Sequence, residues 1–109
     1  MRGDQLRLSD ILERIDRILA ATAEGRASFE TSDVLQDAVI RNLEVIGEAS
    51  AQLSATVRQA HPELPWRAMI GFRHLASHAY WKVEPSRIWV IVEMLPRMRG
   101  QVAAIQVSD

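Results

Sequence analysis

Cysteine is absent from these 109 residues, so the chain can form neither a disulfide nor a thiolate metal site, and a cytoplasmic setting is the simplest expectation. No Asp, Glu or His cluster has metal-ligand spacing either, so neither a metal nor another resident cofactor is predicted. Long apolar runs are missing: none approaches the roughly 20 residues a membrane span needs, and nothing resembles a signal peptide. A soluble protein with no membrane association is predicted. A dominant charge sign is lacking too, since 13 Lys/Arg stand against 14 Asp/Glu for a net charge of −1, which argues against a general polyanion binder. The balance is nevertheless uneven. Residues 1–64 carry 7 Lys/Arg and 11 Asp/Glu, whereas residues 65–109 carry 6 and 3, leaving room for a local phosphate site in the second part. Repeats, linkers and alternating strand patterns do not occur, so residues 1–109 are read as one domain.

What the chain does have is helical periodicity. Leu8, Ile11, Leu12, Ile15, Ile18 and Leu19 recur at three- and four-residue steps among charges, predicting a first helix over about 6–23, with Asp4 or Ser9 as cap and Gly25 as stop. Thr31 and Ser32 are good caps for a second helix, whose apolar stripe from Leu35 to Val57 predicts that it continues to Pro62. Gly47 lies in its middle, where glycine costs about 1 kcal/mol relative to alanine; a close approach by another helix is the expected reason. A third helix is predicted from about Pro65, with Arg73 near its end, and a fourth from Pro85, kinked at Pro96. Short connections make an all-α, antiparallel four-helix bundle the predicted architecture.

Between the third and fourth helices lies the segment Arg73-His74-Leu75-Ala76-Ser77-His78-Ala79-Tyr80, which gathers a guanidinium, two imidazoles and the only tyrosine. Arginine is a permanent cation suited to phosphate, histidine titrates near neutral pH, and a phenol can serve as a nucleophile or a modification target. Arg73 and His78 would diverge by roughly 140° on a continuous helix, so a working pair predicts that the helix ends inside the motif. Arg73 and His78 are the candidate catalytic residues, with His74 and Ser77 as neighbours that tune them. Arg73 could also pair with Glu44 or Glu48, and His61, beside Pro62, is expected at the surface. Trp66, Trp81 and Trp89 are expected as anchors of the core or of a dimer interface rather than as base-stacking platforms. Three tryptophans and four apolar stripes exceed what a small bundle readily hides, which predicts a homodimer.

Several phrases occur together in order: Asp37-Ala38-Val39-Ile40-Arg41-Asn42-Leu43-Glu44-Val45-Ile46-Gly47-Glu48-Ala49, Leu64-Pro65-Trp66, Arg73-x4-His78-x-Tyr80, Ile88-Trp89 and Leu95-Pro96. The set resembles the HepT-like toxins of the HEPN superfamily over nearly the whole chain. One departure is His74, where the family often has Asn. The resemblance implies an all-helical homodimer and a metal-independent endoribonuclease, the toxin of a toxin–antitoxin pair. It implies RNA cleavage by Arg73 and His78, and silencing by an MntA-like minimal nucleotidyltransferase antitoxin that attaches AMP to Tyr80. The alternative is a non-catalytic helical dimer that only binds such a nucleotidyltransferase and serves as its modification substrate.

Overall fold

The computed structural model describes residues 2–75 and 84–107 of the chain. Among them every regular element is helical: α1 (Arg2–Ala21), α2 (Arg26–Glu30), α3 (Asp33–Gln52), α4 (Ala55–Ala60), α5 (Trp66–Gly71), a 3-10 turn (Phe72–His74) and α6 (Pro85–Ala103). Among the described residues the fold is the all-α bundle expected from periodicity. Three long helices form its frame, and α1 packs against both α3 and α6. Their directions follow from side-chain bonds. Asp4, at the start of α1, binds Ser54 just beyond α3, while Arg14 Nη1 donates to Asn42 Oδ1 at 3.2 Å midway along. Asp16 of α1 holds Arg99 near the end of α6 through bonds of 2.6 and 3.1 Å. Asp4 also shares a cavity with Gln106 and Val107 beyond the end of α6, while Phe29, past the end of α1, meets Trp89 near the start of α6, so α1 runs antiparallel to both neighbours.

The stripes read from the sequence form the core. Ile11, Ile15 and Ile18 of α1, Val39, Leu43 and Ile46 of α3, and Leu95 of α6 are fully enclosed, each such side chain contributing about 1.5–3 kcal/mol by leaving water. Phe29 joins them, its ring centroid 5.5 Å from that of Trp89. Trp66 is also buried, and its indole N–H donates to the His61 carbonyl at 2.9 Å. These two tryptophans therefore belong largely to the core. Among the described residues the exposed large apolar side chains are Leu6, Val34, Val90 and Met94.

Boundaries depart from expectation at two places here. The segment after α1, expected as a turn, contains the short helix α2; Gly25 precedes it with φ of 98°, a value side-chain-bearing residues rarely adopt. Ser32 caps α3 as expected, accepting from Leu35 N at 3.1 Å. The predicted second helix is broken at Leu53 and Ser54, both extended, and α4 starts anew with Ser54 as its cap. The apolar spacing from Leu53 to Val57 continues across the break, which is why periodicity concealed it. The later boundaries agree: α5 starts after Pro65, Pro85 takes the first turn of α6, and Pro96 lies inside α6. There its ring and missing N–H bend a helix rather than end it.

Asp4 lies within the first turn of α1 and is not that helix's cap. Its buried carboxylate instead accepts from Ser54 N and Ser54 Oγ, both at 2.8 Å, and Ser54 Oγ in turn accepts from Val57 N at 3.3 Å. The Ser54 backbone N–H is the main cause of the carboxyl's lowered pKa, with burial opposing it and the Ser54 hydroxyl adding to it. A depressed folded-state pKa stabilises the fold above the carboxyl's unfolded value and ceases to do so as pH falls through the folded value. Asp4→Ala is therefore expected to cost about 1 kcal/mol at neutral pH, with the difference from wild type shrinking below about pH 4. Urea denaturation of both proteins at neutral and acid pH measures it; a difference that widens on acidification would contradict the assignment.

Candidate functional site

Arg73 occupies the 3-10 turn that continues α5, so the α-helix ends before the motif arginine rather than carrying it. The turn is pinned from below. Gly47, buried on α3, lies so close that a Cβ there would meet Met69 O at 2.9 Å and Phe72 C at 3.0 Å and would be nearer still to the Arg73 amide nitrogen. All three are backbone atoms and cannot rotate away. The helix approach expected at Gly47 thus exists, and its partner is the backbone that presents the motif.

The Arg73 side chain is exposed and lines a cavity of about 260 Å3 with Arg41, Glu44, Val45 and Glu48. Arg41, Glu44 and Glu48 share a face of α3 through their three- and four-residue spacing. The cavity therefore offers two permanent cations beside two carboxylates. Among the described residues, neither Glu44 nor Glu48 is within ion-pair distance of Arg73; Glu48 instead accepts from Gln52 Nε2 at 3.2 Å. Arg73 Nε donates to His74 Nε2 at 3.2 Å. To accept there, His74 must be neutral with its proton on Nδ1. The contact leaves the two Nη groups of Arg73 outside this bond, and a guanidinium can engage a phosphate through such a pair.

Of the residues singled out from the sequence, Arg73 and His74 are thus brought together. Ser77, His78 and Tyr80, together with Trp81, fall outside the described residues. His61 sits in the connector, half-buried, with its Nδ1 3.2 Å from Glu63 Oε2. Arg41 is an addition that sequence reasoning missed, although its register with Glu44 and Glu48 was visible. Among the described residues no group of three or more His, Asp or Glu side chains is placed to hold a metal ion, and no helix is long and apolar enough to cross a membrane.

Residues 10–105 match the family described as Ribonuclease HepT-like. The chain is 40% identical over 96 residues to "Probable ribonuclease HepT" of Thermococcus cleftensis, covering 86% of this chain and 87% of that protein. It is 33% identical over 100 residues to "Putative RNase MJ1380" of Methanocaldococcus jannaschii, covering 90% and 92% respectively. No solved structure gives a significant match.

Proposed function

The chain belongs to the HepT-like ribonuclease family, and from that premise we propose that it is a metal-independent endoribonuclease, the toxin of a toxin–antitoxin pair. The observation that carries this is Arg73: an exposed guanidinium on a turn whose backbone is fixed against Gly47. In the proposed reaction the RNA's own 2′-oxygen attacks the adjacent phosphorus. The O2′–P bond forms, the P–O5′ bond breaks, and the products are a 2′,3′-cyclic phosphate and a 5′-hydroxyl. The 2′-hydroxyl proton goes to a base and the 5′-oxygen receives one from an acid, tasks suited to imidazole. His78 supplies one of these groups and His78 of a second copy the other, which is why the working unit is a homodimer. Arg73 stabilises the charge that develops on the phosphoryl oxygens, and His74 and Ser77 tune the pair. Exposed Val90 and Met94, one turn apart on α6, support a second copy as partner.

Regulation follows from Tyr80. A nucleotidyltransferase partner in the cytoplasm transfers AMP from ATP to the phenol oxygen, releasing pyrophosphate. The new phosphodiester then competes with RNA phosphate for Arg73, and the nucleoside blocks approach. Coexpression with the partner is expected to add AMP to the wild type and silence it, whereas Tyr80→Phe should gain no mass and stay active. Intact-mass measurement decides this; AMP on Tyr80→Phe, or undiminished cleavage by modified wild type, would refute it. AMP addition on a wild-type chain that never cuts RNA would favour the non-catalytic reading.

A further inference from the structure

Between α4 and α5 lies a cleft of about 450 Å3 lined by Ala55, Arg58, Gln59, Trp66, Arg67 and Ile70. It combines two guanidiniums with an apolar floor and has no carboxylate in its lining. Four arginines of the chain are neutralised locally: Arg7, Arg17, Arg26 and Arg99 pair with Asp10, Glu13, Glu30 and Asp16. Arg58 and Arg67 have no such partner among the described residues. Arg58 Nε is moreover shielded from solvent with no hydrogen-bond acceptor among them, an arrangement that is unfavourable until an acceptor arrives. Trp66 has already committed its N–H to the His61 carbonyl, so toward the cleft it offers apolar surface only. Planar cations beside an apolar wall match a phosphate with its attached nucleoside.

The cleft also points along the molecule toward the motif. Arg67, Ile70 and His74 follow one another at three- and four-residue steps through α5 and the 3-10 turn, so they share a face. Arg67 and His74 are separated by roughly 10 Å along that axis. We propose that the cleft binds a backbone phosphate and nucleoside of single-stranded RNA beyond the phosphate held at Arg73, so that one strand crosses both. The proposal rests on the ribonuclease reading of the motif and adds to it a contact that fixes the strand's register.

The test uses the full chain carrying His78→Ala, so that RNA survives, and a short fluorescent single-stranded RNA titrated between about 50 and 200 mM salt. Arg58→Gln combined with Arg67→Gln is expected to weaken binding about tenfold or more. The slope of log affinity against log salt should fall by about 0.7, because the cleft takes one phosphate and each single-strand phosphate contact contributes about 0.7. Arg58→Lys with Arg67→Lys keeps the charges and should recover most of that slope, and Arg26→Gln on α2 should leave it unchanged. Circular dichroism verifies folding. Should the double variant not fold, Arg67→Gln alone, at an exposed position, should remove half of the slope change. Unaltered affinity and slope would overturn the proposal. So would unaltered RNA binding with lost binding to the nucleotidyltransferase, which would make the cleft a protein-docking surface. Arginine-dependent binding by a chain whose His78 form cuts no RNA would refute the ribonuclease reading and support the cleft; cleavage with arginine-independent binding would refute the cleft alone.

Discussion

Arg73→Ala is expected to lower RNA cleavage about 10²–10³-fold, the usual cost of removing a donor aimed at developing charge, while leaving the fold intact. The expectation of an intact fold is specific to this position. Arg73 is exposed, and its one bond among the described residues is to the neighbouring His74. Truncation therefore removes no core packing and strands no buried charge. His78→Ala should lose about 10²–10⁴-fold, the range for positioned acid–base groups. Cleavage rates in excess chelator, with circular dichroism as the folding control, measure both. If Arg73→Ala cleaves at the wild-type rate, charge stabilisation at that residue is excluded.

Gly47→Ala should have the larger effect on stability. A methyl at this position meets three backbone atoms of the segment that carries Arg73, so α3 and the 3-10 turn have to separate. Overpacking of this kind costs about 1–3 kcal/mol and outweighs the helix-propensity gain of about 1 kcal/mol when the neighbours are rigid backbone. Each net kcal/mol lowers the melting temperature of a domain this size by about 4–8 °C. Because the displaced segment presents the motif, cleavage should also fall, by about 10²-fold for a shift of roughly 1 Å. Gly100→Ala is the matched control. It too lies inside a helix, but an added Cβ there meets nothing within 4 Å, so it should stabilise by about 0.5–1 kcal/mol. Melting curves of the two variants read the contrast, and a Gly47→Ala protein as stable as Gly100→Ala would show that the approach at Gly47 is not a tight one.

The two glycines show what can be read from sequence and what cannot. A glycine inside a strong apolar stripe signals a close neighbour, and Gly47 was recognised on that ground; which backbone approaches it is a tertiary fact. The long helices were visible because five or six apolar positions repeat in each. The short helix around Phe29 was not, since five residues cannot establish a period. The break at Ser54 was hidden because Leu53 and Val57 keep helical spacing across it, while its stabilising partner, Asp4, lies 50 residues away. The motif announced itself through clustering of rare residue types. Arg41, Arg58 and Arg67 did not, because a solitary arginine among helical polar positions is ordinary until folding places it in a cleft.

The most direct measurement is cleavage of single-stranded RNA by the purified wild-type chain in excess EDTA, beside Arg73→Ala under the same conditions. Metal-independent catalysis by the motif requires that wild type cuts RNA at the same rate with and without EDTA and that Arg73→Ala does so at least about 10²-fold more slowly. Cleavage that vanishes with EDTA and returns with magnesium, or that is equal in the two proteins, would contradict it.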